Sequence, residues 1–333
     1  MLGNLHQQVS MKSLVSVTGK NILLPFYHTV SDKRLAHICN LYTLRNTKLF
    51  INDLEFYCRH YKPITLSELY LVISGQEALT EPVFHLTFDD GLKEFYTVIA
   101  PILEQKGIPA TVFLNSDFID NTALFYRYKV SLLIDAANLT DDNAILKQIT
   151  AVLGTDLQSK EIIKQRLLQL SYHDQQNIAT ISQLLDIDFD TYLKKEQPYL
   201  SATEISDLIK RGFTMGSHSI DHPLFKSITL EEQKRQIKQS FKQLEQRFGI
   251  TDKYFSFPFS DDGVSLEFLK WLHSEANLKL TFGISGLKAD FSDCHLHRIP
   301  VEGTSKPVEQ LIKSEYLYYL LKAPLLKNSI RRK

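Results

Sequence analysis

Phe84-His85-Leu86-Thr87-Phe88-Asp89-Asp90-Gly91 decides the reading of this chain of 333 residues. Its first half is an apolar run with aromatic and β-branched character, the mark of a buried strand, and it stops abruptly at two adjacent carboxylates and a glycine. Neighbouring carboxylates repel, so keeping both charged in a buried place is expensive unless a cation or hydrogen-bond donors compensate. A metal ion is the simplest compensator. The same residues also build turns and cap helices, and taken alone the motif leaves both readings open.

Ligands that would complete a metal site stand far downstream, in Met215-Gly216-Ser217-His218-Ser219-Ile220-Asp221-His222-Pro223. His218 and His222 share a face if the segment is helical, and a tight loop brings them together equally well. One aspartate with two histidines can hold a borderline divalent ion while leaving positions open for water and substrate. The second aspartate is then free to act as a base. The two motifs at two strand ends carry more weight together than either does alone.

On these residues the chain resembles the polysaccharide deacetylases of the NodB-homology type, carbohydrate esterase family 4. The first family motif is similar to Thr87-Phe88-Asp89-Asp90-Gly91 and the second to Ser217-His218-Ser219-Ile220-Asp221-His222-Pro223. Leu24-Pro25-Phe26-Tyr27-His28, Phe255-Ser256-Phe257-Pro258-Phe259 and Arg298-Ile299-Pro300-Val301 resemble the branch of exopolysaccharide N-deacetylases. The resemblance implies a fold, an incomplete or distorted (β/α)7 barrel, here with an all-helical insertion. Periodicity alone leaves that barrel level with an open parallel sheet.

The resemblance also implies a chemistry. Asp90, His218 and His222 would hold one divalent ion, with Zn2+ expected, to polarise the acetyl carbonyl of an amino sugar or N-acetylated glycan and activate water. Asp89 would take the water proton, and acetate and a free amine would leave. Related enzymes often orient this aspartate with an arginine in the third motif. Phe257 stands at that place, so another donor must hold Asp89, and Arg298 is the expected ion-pair partner. His28 lies just past a central strand and is the favoured general acid, ahead of His297 and His295, although a rim histidine can equally be structural. Removal of an O-acetyl ester or another small amide, and glycan binding without catalysis, are the alternatives.

Composition agrees with a folded, uncharged enzyme. Lysine plus arginine (38) equals aspartate plus glutamate (38), so no overall field recruits nucleic acid. Cys39, Cys58 and Cys294 are too scattered to form a disulfide framework or a zinc cluster. The N-terminal stretch lacks a signal-peptide pattern, and no window approaches a membrane span of about 20 apolar residues. Those features predict a cytoplasmic protein, with peripheral membrane contact through a C-terminal helix and the basic tail Arg331-Arg332-Lys333 as the other option.

Along the chain, residues 1–20 read as a surface lead-in and 20–305 as the barrel. Strands are expected over 21–26, 83–88, 108–114, 213–216, 254–259 and 280–284, with helices between them. Asn115 and Ser116 end one strand at the rim, where they can meet sugar. Residues 117–198 show four helical runs and no strand signal, the expected insertion within the barrel domain, which can shape a groove, meet a protein partner or pad the fold. Ser201-Ala202-Thr203-Glu204 and Thr229-Leu230-Glu231-Glu232 are capping-box patterns. Asp261 and Asp262 are expected to cap the following helix, and His295 and His297, alternating with Leu296, share one face of an extended segment. Residues 306–333 read as a C-terminal helix with its basic tail, a second surface for a partner.

Overall fold

The computed structural model describes residues 9–156, 159–325 and 327–332. Its centre is a ring of parallel strands: β1 (Pro25–Tyr27), β2 (Leu86–Phe88), β3 (Ala110–Leu114), β4 (Thr214–Ser217), β5 (Tyr254–Ser256), β6 (Leu280–Gly283), β7 (His295–His297) and β8 (Ile299–Pro300). Their hydrogen-bonded order is β7-β6-β5-β4-β3-β2-β1-β8. The two edge strands, β7 and β8, are one run of chain broken only at Arg298. β7 pairs with β6 and β8 pairs with β1. At the break the Arg298 N–H donates to the Gly283 carbonyl (3.0 Å) and the Ile299 N–H to the Leu24 carbonyl (2.8 Å). A single passage thus touches both edges and nearly closes the barrel, seven passages making eight strands, the distorted (β/α) form that the motifs imply.

Two of the expected strands are each split. Ile22–Leu23, Lys62–Pro63 and Val83–Phe84 form a separate three-stranded sheet, and the chain then enters the barrel at β1 and β2. His85 marks one break, its buried ring bonded to the Ile64 carbonyl (2.7 Å) and the Thr111 hydroxyl (2.8 Å). The lead-in is also more ordered than expected. Met11–Thr18 is a helix capped by Ser10 and ended by Gly19, and it buries Met11, Leu14 and Val15. These residues share a core with Val308, Ile312, Tyr316 and Leu317 of helix Val308–Lys322. That helix is shorter than 307–333, and it turns Ile312 and Tyr316 inward while leaving Leu321 58% exposed.

Between β3 and the helix Ala202–Lys210 the chain forms five helices: Tyr126–Leu139, Asn143–Val152, Lys160–Gln169, Gln175–Leu184 and Phe189–Glu196. The last was not expected, since of its eight residues only Leu193 is buried. The layer has its own apolar core, in which Leu133, Ile149, Ile163, Leu167, Ile178 and Ile181 are buried. Pro101, which lacks an N–H for a preceding carbonyl, follows a π-helical turn over Phe95–Ile99 and opens Ala100–Lys106 as a new helix. Ser201 and Glu204 form a full capping box, whereas Glu232 turns its carboxylate to Arg235 and Gln236, leaving only the Thr229 hydroxyl on the helix end. Ser265, and not Asp261 or Asp262, caps Leu266–Ser274. Among the described residues no helix is long and apolar enough to cross a membrane.

Candidate active site

The loops leaving β1, β2 and β4 supply the histidines and aspartates of one cavity. After β2 the chain turns sharply: Asp90 has φ +70° and Gly91 φ +63°, both left-handed. Aspartate tolerates that region better than most residues, and a Cβ on Gly91 would stand 2.7 Å from Leu114 Cδ2. The turn therefore needs Gly91 at this place. After β4 the segment from His218 to His222 is a tight loop with positive φ at Ser219 and His222, not a helical turn. Asn115, expected at the rim, is buried instead, and its amide braces this loop by donating to the His218 carbonyl at 2.6 Å.

Asp90, His218 and His222 offer one ligand atom each within a mutual 4.8 Å. His222 Nε2 lies 3.3 Å, and His218 Nε2 3.6 Å, from Asp90 Oδ1. That carboxylate oxygen is buried and has no hydrogen-bond donor. His218 Nδ1 lies 2.7 Å from the Ser256 carbonyl, which can only accept, so the ring proton sits there and the Nε2 lone pair faces Asp90. Burial lowers the His218 imidazole to about 4 and favours this neutral form. A His218 lone pair meeting an Asp90 oxygen that has no donor fits a cation, and the donor set of one carboxylate and two imidazoles fits a first-row divalent ion. The remaining Asp90 oxygen accepts from the Tyr128 hydroxyl at 2.7 Å.

Asp89 is clamped, not shared. Arg298 Nη1 donates to Oδ1 at 2.8 Å and Nη2 to Oδ2 at 2.7 Å, a two-point pair of the planar guanidinium with the carboxylate. Arg298 also donates to Thr87 Oγ1 (2.9 Å) and Ser256 Oγ (2.6 Å), and its guanidinium lies 4.4 Å from the centre of the Phe26 ring. Burial alone would raise the Asp89 carboxyl, but Arg298 outweighs it and holds the group below its usual range. Burial likewise opposes ionisation of Asp90, and the His222 ring overrides it.

His28 lines the same cavity, half-buried, its Nδ1 2.6 Å from Glu302 Oε2. Glu302 accepts as well from the backbone N–H groups of His28 and Thr29, both at 2.9 Å, so it is fixed on the loop after β8. Burial would lower the His28 imidazole, yet the Glu302 carboxylate more than offsets this and pushes it up to about 9. His28, Asp89, Asp90, His218 and His222 line one cavity of about 310 Å³ with Tyr42, Phe125, Arg127, Tyr128 and Phe259. His297 and His295 are not among its lining residues. They lie on the other side of β7, where His297 Nε2 meets Asp290 at 2.8 Å and His295 Nε2 meets Asp261 at 3.1 Å. His297 is therefore placed away from the reacting groups, and Asp261 is buried beside His295 instead of capping a helix.

Sequence reasoning missed Glu302, Tyr128 and Ser256. The first two follow no local motif, since they reach the site from 274 and 38 residues away in the chain. Ser256 sits inside Phe255-Ser256-Phe257-Pro258-Phe259, and its alternation with the apolar Phe255 and Phe257 was the one available signal.

Residues 76–273 match the family described as polysaccharide deacetylase. No curated protein sequence matches the chain. Solved structures share the fold, three of them as follows. The deacetylase PplD of Streptococcus pyogenes, solved in complex with acetate, is 16% identical, with 87% of this chain and 96% of that one covered at a TM-score of 0.55. IcaB from Ammonifex degensii is 13% identical over 89% and 96%, at 0.53. A de-N-acetylase from Aggregatibacter actinomycetemcomitans is 14% identical over 88% and 99%, at 0.56. The cytoplasmic location expected from the N-terminal sequence does not hold against these likenesses.

Proposed function

The chain belongs to the polysaccharide deacetylase family, metal-dependent hydrolases of N-acetyl amide bonds, and from that premise we propose how its own residues divide the work on an N-acetylated amino sugar or glycan. Asp90, His218 and His222 would hold the divalent ion, Zn2+ by preference for this donor set. When bound, the ion polarises the acetyl carbonyl and makes water a better nucleophile. Asp89, kept ionised and fixed by Arg298, accepts a proton from the attacking water. His28, kept protonated by Glu302, gives a proton to the departing sugar nitrogen as the carbon–nitrogen bond breaks, since an amine is a poor leaving group until it is protonated. Water adds across the amide, and acetate and the free amine leave. Residues 20–305 form the catalytic barrel in this reading, with 117–198 as an insertion that walls the cavity and 306–333 as a C-terminal support.

One observation carries this assignment: a carboxylate pinned by an arginine and an imidazole pinned by a carboxylate share one cavity with three converging metal-type ligand atoms. Acetate release from matched N-acetylated and O-acetylated saccharides, with metal-loaded and chelator-stripped protein, tests it. Release from the N-acetylated set that disappears on stripping and returns with Zn2+ is expected. Release confined to O-acetyl esters would remove the amide assignment, and full activity after verified stripping would remove the metal.

A further inference from the structure

The histidines that turn away from the active site belong to a second cluster. His295, His297, Asp261 and Asp290 each place a nitrogen or oxygen within a mutual 4.8 Å. Their roles differ. His297 Nδ1 accepts from the Ser285 N–H at 3.2 Å, so its proton is on Nε2 and is donated to Asp290 at 2.8 Å. His297 is an orienter of Asp290. His273 donates its Nδ1 proton to the Leu278 carbonyl at 3.0 Å, so its Nε2 takes the Thr281 hydroxyl proton at 3.2 Å; the Thr281 oxygen then accepts from His295 Nδ1 at 2.7 Å, which leaves the His295 Nε2 lone pair facing Asp261 Oδ2 at 3.1 Å and Asp290 Oδ2 at 3.8 Å. Three acceptors thus converge, and three acceptors repel unless a cation stands between them.

The chain supplies one. Nη2 of Arg332, the residue before the last, touches Asp261 Oδ2, lies 2.6 Å from Asp290 Oδ2 and 3.2 Å from His295 Nε2. Its side chain is 5% exposed. The match is incomplete, because Asp261 Oδ1 remains buried without a hydrogen-bond partner and one positive charge faces two carboxylates. Gly283 keeps the room open: a Cβ there would stand 2.6 Å from His297 Nδ1. The arginine rides on a short tail, held by the Ala289 N–H to the Asn328 carbonyl at 3.1 Å and the Ile330 N–H to the Ala289 carbonyl at 2.9 Å.

We propose that Asp261, Asp290 and His295 form a second divalent-cation site, separate from the catalytic one, in which Arg332 is the built-in stand-in, so that metal binding and docking of the C-terminal tail exclude each other. Two carboxylates and an imidazole, one carboxylate oriented by a second histidine, suit a first-row divalent ion, and two charges on that ion would match both carboxylates. This site does not depend on the deacetylase reading.

Co2+ is the probe, used on full-length protein carrying His218→Ala and His222→Ala so that the catalytic ligands cannot contribute. Equilibrium dialysis and visible absorption should find one Co2+ equivalent when Arg332→Ala is added, bound roughly tenfold or more tightly than with Arg332 present. Asp261→Asn should abolish it. With the tail intact, saturating Co2+ should raise amide hydrogen exchange over 327–332. A folded Arg332→Ala protein that binds no equivalent, equal affinity with and without Arg332, or binding that survives Asp261→Asn overturns the proposal. If Arg332→Ala does not fold, as its thermal transition would reveal, the exchange measurement decides, and tail exchange unchanged at saturating Co2+ overturns it as well.

Discussion

Asp89 and His28 are both ionisable, both beside the same cavity, and each is held by an opposite charge from the end of the barrel sequence. The pairing sets their opposite duties. Asp89 faces a guanidinium and stays a carboxylate, while His28 faces Glu302 and stays an imidazolium. Asp89→Asn keeps the shape and loses the proton acceptor, so turnover should fall by roughly 10²–10⁴ while one metal equivalent is retained, measured by acetate release and metal analysis on the same sample. Near-normal turnover would sink the base assignment. For His28 the sign runs the other way. Its imidazole is raised toward about 9, so the acid is present below that pH and is lost as pH rises through it. Glu302→Gln removes the charge that raises it, and burial then pulls the imidazole down. The alkaline limb of the turnover profile should move to lower pH in Glu302→Gln, with little loss at the acid end. An unmoved limb would mean that another group donates the proton.

At the scale of elements, the helix Tyr126–Leu139 lies outside the barrel strands yet touches a metal-type ligand. Its Tyr128 hydroxyl satisfies Asp90 Oδ2, and its ring stands beside His37 and Phe125. Tyr128→Phe removes that bond to a buried carboxylate and should weaken metal affinity by roughly 10–100-fold, read by competition with a chelator, while the apolar packing of the ring is kept. Unchanged affinity would make the helix a wall and nothing more. Nothing in the sequence of Tyr128 announces this, because the contact depends on how a whole helical layer leans on the barrel. The metal triad was legible for the opposite reason: Asp90, His218 and His222 sit in short motifs just past strand ends, where one turn fixes their direction. Strand parity explains the misplacement of His297. Neighbours in an extended run point to opposite faces, so Arg298 on Asp89 inside the barrel forces Leu296 inward and sends His295 and His297 outward. Arg298 and His297 could not both reach one site, and the alternation that puts the two histidines on a common face does not say which face.

At the scale of the molecule, the closure of the barrel and the clamping of the proposed base use the same side chain. Arg298 occupies the one residue between β7 and β8, where the chain changes partner from β6 to β1, and its guanidinium holds Asp89 and Thr87 at β2 and Ser256 on β5. A guanidinium fully inside a barrel is costly to desolvate, and what compensates is the two-point pair with Asp89 together with the aromatic rings of Phe26, Phe113 and Phe282 around it. Removing one partner leaves the other charge buried and alone. Arg298→Met in metal-free protein should therefore lower unfolding free energy by about 3–5 kcal/mol, measured as a shift of the urea midpoint at constant slope. Asp89→Asn strands the guanidinium and should cost a similar amount. Combining Arg298→Met with Asp89→Asn removes both charges, so the double variant should be more stable than the sum of the two losses predicts by more than about 1 kcal/mol. Strict additivity, or a loss below about 1 kcal/mol for Arg298→Met alone, would mean that the ring closes on its backbone hydrogen bonds and that the arginine serves the base without holding the barrel.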